Sequence, residues 1–75
     1  PTVGIIKQRA EALKTAGQSN VRLDIKSARG NDYHIQQIGS TDKFNVYDRY
    51  LNPVNTKGPI DYVSAGRMID GLDNR

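Results

Sequence analysis

From Val21 onward the apolar residues of this chain fall on every second position, with Val21, Leu23 and Ile25 alternating with Arg22, Asp24 and Lys26. A period of two is what a strand with one buried face requires, so the stretch predicts a β-strand. Arg29-Gly30-Asn31-Asp32 then carries residues that tolerate positive φ and reads as a hairpin turn. A second strand is predicted from Tyr33 to Ile38, with Tyr33 and Ile35 inward and His34 and Gln36 outward. Ile38 breaks the phase, being three residues beyond Ile35. It calls either for a bulge or for a position on the outer face near the strand end. Gly39-Ser40-Thr41-Asp42 is the next turn, and a third strand runs from Lys43 to about Leu51. Its apolar residues set Phe44 and Val46 inward, which puts Asn45, Tyr47 and Arg49 outward. Strict alternation would also send Asp48 inward. An unpartnered carboxylate is costly there, so the core face is expected to end near Val46 or the strand to twist.

The flanks of this meander have the other period. Val3, Ile6, Ala10 and Leu13 recur at spacings of three and four behind Thr2 as N-cap, which predicts a helix from about Val3 to Ala16, stopped by Gly17. Lys7, Gln8, Glu11 and Lys14 fall on its solvent side. After the strands, Asn52-Pro53 breaks the ladder, since Pro has no N–H to donate, and Val54 is the position for a short fourth strand at an edge. Lys57-Gly58-Pro59 turns into a second helix with Asp61 as N-cap and Val63, Ala65, Met68, Ile69 and Leu72 as its apolar face. Ile60 and Ala65 stand where a hydrophobic staple would join. Gly66 costs that helix about 1 kcal/mol against Ala, so it marks either close backbone packing or a marginal helix. Asp61, Asp70 and Asp73 read as cap and solvent-facing residues, with Asp73-Asn74-Arg75 a polar tail.

The expected fold is therefore α+β: a helix, a three-stranded antiparallel meander with a short fourth edge strand as an option, and a C-terminal helix. Both helices pack on one face of the sheet. At 75 residues the chain is expected to form a single compact domain, residues 1–75, near the lower limit for independent stability. It has no cysteine, so neither a disulfide framework nor a thiolate zinc site can support it. No apolar run approaches the roughly 18 to 20 residues that cross a bilayer, and no signal-peptide h-region opens the chain. The expectation is a cytoplasmic protein without a membrane partner. An opening Pro1 is what removal of an initiator Met would leave, which fits a complete mature chain.

Chemistry-bearing patterns are sparse. His34 is the only histidine, without a recognisable acid and nucleophile at a triad's spacing and with too few N or S ligands elsewhere for zinc. No calcium loop, nucleophile elbow or phosphate-binding glycine loop is present, so no catalytic residue, cofactor or metal is expected. What remains is the outer sheet face. Arg22, Lys26, His34, Gln36, Tyr47 and Arg49 are the predicted partner-binding residues, because Tyr and Arg are enriched in binding hot spots. A merely solvated sheet face would be equally polar.

Two functions fit this surface. The first is a small non-catalytic interaction or assembly module (adaptor, inhibitor or structural component) that binds a protein through the sheet face or an open strand edge. Self-association through that edge is a variant of it. The second is a nucleic-acid-binding domain that uses the same face. The net charge of +3 weakly favours anionic partners, but acids are interleaved among the cations, as with Asp24 between Arg22 and Lys26. In its strand-strand-strand-helix order the chain resembles the AP2 and integrase arm-binding modules. In its helix-strand-strand-strand-helix order it is similar to double-stranded RNA-binding domains. The first resemblance implies that Arg22, Lys26 and Arg49 contact phosphate or guanine and that Gln36 or Asn45 pairs with adenine. The second implies a basic cluster opening the last helix, where this chain reads Asp61-Tyr62-Val63-Ser64-Ala65-Gly66-Arg67, a departure that counts against RNA. Length, basicity and lack of chemistry also match the profile of a phage or mobile-element accessory protein.

Overall fold

The switch of period between the flanks and the middle of the chain appears directly in the architecture. A computed structural model describes residues 1–74. Helix α1 (Thr2–Thr15) is followed by strands β1 (Arg22–Lys26), β2 (Asp32–Gln37), β3 (Lys43–Tyr47) and β4 (Ile60–Asp61), and by helix α2 (Tyr62–Asp73). The strands form one antiparallel sheet in the order β1-β2-β3-β4. Both helices lie on one side of it, α1 against β1 and α2 against β3 and β4, and they pack on each other. The α+β meander between two helices is thus the observed fold. No helix among the described residues is long and apolar enough to cross a membrane.

The core is the set of inward positions that the alternation picks out. Leu23, Ile25, Tyr33, Ile35, Phe44 and Val46 are buried under Ile6 of α1 and Ala65 and Ile69 of α2. Val21 lies just outside β1 and is half-buried, packed on the same cluster with Ala10, Leu13, Met68 and Leu72. Tyr62 also packs there, whereas Val63 does not belong to the cluster. Gly66 answers its own question: a β-carbon on it would lie 2.4 Å from Val3 Cγ2 and 2.6 Å from the Val3 backbone. The missing side chain is what lets the two helices touch.

Several local expectations need correction. Thr2 is not an N-cap. Pro1 occupies that position, and Thr2 is a buried residue of the first turn whose hydroxyl donates to Asp70 Oδ1 at 2.5 Å. Asp70 is thereby tied to α1 rather than turned to solvent. Nor does a bulge interrupt β2. Its pairing is continuous on both sides, Gln37 takes the last inward place at the rim, and Ile38 leaves the strand with over a third of its surface exposed.

The third strand ends at Tyr47, four residues sooner than its composition implies. Asp48 is the reason: its carboxylate accepts the N–H groups of Tyr50 and Asn52 at 2.8 and 3.0 Å, closing a turn that competes with the ladder. Arg49 is therefore a turn residue and not an outward residue of β3. The fourth edge is split. Pro53 bridges to Tyr47 and Val54 N–H donates to Val46 C=O, then the chain departs and returns as β4 opposite Lys43 and Phe44. In the gap, the buried Asn55 side chain accepts the Val46 N–H at 2.8 Å and donates to Asn45 Oδ1 and Gly58 C=O. An amide stands in for the missing strand.

Asp73 is the largest departure. It is buried, not part of a polar tail. Its carboxylate accepts from Ser27 Oγ at 2.5 Å, Asn31 Nδ2 at 2.8 Å and Arg29 N–H at 3.0 Å. The hydrogen bond from Ser27, helped by those from Asn31 and Arg29, holds its pKa below the ordinary carboxylate value against the opposing effect of desolvation. The last turn of α2 is thus fastened to the β1–β2 hairpin loop. Asp61 behaves as predicted, accepting the Ser64 N–H at 2.7 Å as N-cap of α2.

Candidate functional site

The outer face of the sheet is built by the even-numbered residues of β1 and β2 and the odd-numbered residues of β3, because side chains alternate across a strand. The ladder sets Arg22 opposite Gln36, Asp24 opposite His34, His34 opposite Tyr47 and Gln36 opposite Asn45. Four of the predicted residues therefore converge. Arg22, His34, Gln36 and Tyr47 line one shallow depression, with the β2 strand at Ile35 behind it and Leu51 at its edge.

Its polar side is an ion-pair cluster. Asp24 Oδ1 lies 2.7 Å from His34 Nδ1 and 3.3 Å from Arg22 Nε, and Arg22 Nη2 is 3.0 Å from the same imidazole nitrogen. One ring nitrogen cannot donate to the carboxylate and accept from the guanidinium at once. We assign its proton to the shorter bond, so Nδ1–H donates to Asp24 and Nε2 is the ring atom left free. The His34 bond, and then the charge of Arg22, keep Asp24 below the usual carboxylate pKa. An aspartate orienting a histidine supplies two of the three members of a hydrolytic triad. Among the described residues no serine or threonine hydroxyl is hydrogen-bonded to that ring, and no cluster of three or more His, Cys, Asp or Glu could hold a metal ion.

The other two predicted residues lie apart. Lys26 sits at the far end of β1, paired with Asp32 across the ladder at 3.5 Å. Arg49 is in the turn beyond β3, its guanidinium 4.7 Å over the ring of Tyr50 and hydrogen-bonded to the Tyr50 hydroxyl. Gln36 is half-buried and donates to the Asn20 C=O at 2.7 Å, so it braces the loop before β1 as well as lining the depression.

Two exposed residues of the turn after β3 escape the period-two reading, and one of them, Leu51, borders the depression. Tyr50 and Leu51 are 68% and 54% exposed, and Leu51 holds a left-handed backbone with φ of 66°. That conformation is unfavourable for a branched apolar side chain, and the Asp48 turn imposes it. The available signal was the phase itself: a strand that extended to Leu51 would have had to bury Asp48.

Comparison with protein-family models, curated proteins and solved structures finds no match to this chain.

Proposed function

We propose that the chain is a small non-catalytic interaction module that binds a protein partner through the outer face of its sheet. The observation that carries this reading is the apolar and aromatic rim of the depression. Tyr47 is half-buried opposite His34, and the exposed Leu51 bounds the depression from a backbone that resists that residue type. Strain of this kind recurs at binding sites, where an exposed group is worth its conformational cost. The charges favour a protein over nucleic acid. Arg22 is matched by Asp24 and Lys26 by Asp32, so a phosphate approaching either cation meets a carboxylate.

The test is capture from a native lysate on the immobilised chain. Tyr47→Ala and Leu51→Asn are expected to lose the same captured protein without a fall in melting temperature. Capture that survives both substitutions would sink the reading. So would binding to duplex DNA that falls steeply with log salt, at about −0.9 per phosphate neutralised, since that is the signature of the nucleic-acid alternative.

A further inference from the structure

His34 is held by its neighbours in one of its two neutral tautomers, and the choice decides what its free nitrogen can bind. Nδ1 lies 2.7 Å from Asp24 Oδ1 and 3.0 Å from Arg22 Nη2. A ring that accepted from Arg22 would set its lone pair against the carboxylate oxygen at the shorter distance. The proton therefore sits on Nδ1, and Nε2 carries a lone pair. Among the described residues Nε2 has no hydrogen-bonding partner, and no buried side-chain nitrogen or oxygen lacks one, so Nε2 reaches solvent although the side chain is only 18% exposed. Gln36, the next residue on the same face of β2, donates from its Nε2 to the Asn20 C=O and keeps Oε1 as a second free acceptor. Two residues with an open acceptor, one strand repeat apart, thus line the depression beside Tyr47 and Leu51.

We propose that the depression takes a tryptophan side chain of the protein partner, whose indole N–H donates to His34 Nε2, and that Asp24 is the positioning residue that makes Nε2 an acceptor. The proposal rests on the reading of the chain as a protein-binding module and names the group its sheet face recognises. A partner carboxylate fits poorly, since its lone pairs would face those of His34 and Gln36. Arg22, the cation lining the depression, is already paired with Asp24. A partner cation would in turn meet Arg22. A neutral donor meets neither obstacle. An indole joins one N–H and no acceptor to a broad apolar ring, which Tyr47 and Leu51 can cover. A second proton on His34 would turn Nε2 into a donor and remove the bond. The charged and titratable groups about the ring are Arg22 and Asp24 from β1 and Tyr47 from β3. Both helices lie on the other side of the sheet, and Arg49 in the turn after β3 is stacked on Tyr50.

The test uses the full chain with indole and N-methylindole as probes, followed by NMR titration and by the ring nitrogen resonances of His34. The neutral ring is expected to show its proton on Nδ1, and indole to bind severalfold tighter than N-methylindole, shifting Tyr47 and Leu51. That preference should vanish as His34 takes its second proton, read on its own resonances. The Asp24 side chain is 72% exposed, so Asp24→Ala is expected to keep the fold. It leaves Arg22 as the partner of Nδ1, which should move the ring proton to Nε2 and abolish the preference for indole. A wild-type ring protonated on Nε2, equal binding of the two probes, or no binding of either would overturn the proposal. Tighter binding of phenol or of methylguanidinium would overturn it in favour of a tyrosine or a cation. Lysate capture separates the two readings. Capture lost in Tyr47→Ala without a preference for indole sinks the indole site alone, whereas a preference for indole with capture that survives Tyr47→Ala supports the site and sinks the reading of the captured protein.

Discussion

Gly66 of α2 and Val3 of α1 meet so closely that no β-carbon fits between them, the nearest atom standing 2.4 Å from where that carbon would be. The close approach of the two helices over one sheet face requires this position to lack a side chain. Gly66→Ala should therefore destabilise the fold by roughly 1–3 kcal/mol through overpacking, despite the gain in helix propensity. Gly71, in the same helix, has nothing within 4 Å of its β-carbon position. Gly71→Ala should stabilise by up to about 1 kcal/mol, and urea denaturation of the two variants shows opposite shifts.

Asn55 completes the split edge beside β3. Asn55→Leu keeps the bulk but leaves the Val46 N–H without its acceptor, at a cost of roughly 1–3 kcal/mol. The Val46 amide should also exchange faster than its neighbours in native-state hydrogen exchange, a local effect that a general loss of stability would not give.

Acid should loosen the junction between α2 and the β1–β2 loop. Asp73 has a folded-state pKa depressed below the ordinary carboxylate value, so its contribution is fully present above that ordinary value and is lost as the pH falls through the folded one. Asp24 and Asp61 are depressed as well and act in the same direction. Urea midpoints measured from pH 5 down to pH 2 should decline in the wild type. Asp73→Asn, lower at pH 5, should show a flatter decline, and a slope equal to wild type would mean that the other carboxylates carry the effect.

Leu51 offers a separation of stability from binding. Asn tolerates the left-handed backbone that Leu51 holds, so Leu51→Asn should raise stability by about 1 kcal/mol while it weakens capture of the partner. A variant that loses stability would show that the Leu51 side chain packs, and that the turn is not strained by it.

Much of the fold was legible because its signals are local. The period-two run of Leu23 and Ile25, the turn residues at Gly30 and Gly39, and the Asp61 cap each act within a few residues of themselves. Of the outer face, the same alternation placed Arg22, His34, Gln36 and Tyr47 side by side. It misplaced Arg49, because the Asp48 turn ends the strand before that position.

Local periodicity alone assigned the helices, the meander and the two faces of the sheet, since burying one stripe or one face is a property of neighbouring residues. The tertiary structure decided the roles of Thr2, Asn55, Gly66 and Asp73. Thr2 meets Asp70 and Asp73 meets Ser27 across 68 and 46 positions of sequence. Polar residues of this kind look solvent-facing in any short window. Their hydrogen-bonding partners come within reach only when α2 folds back over α1 and the first hairpin.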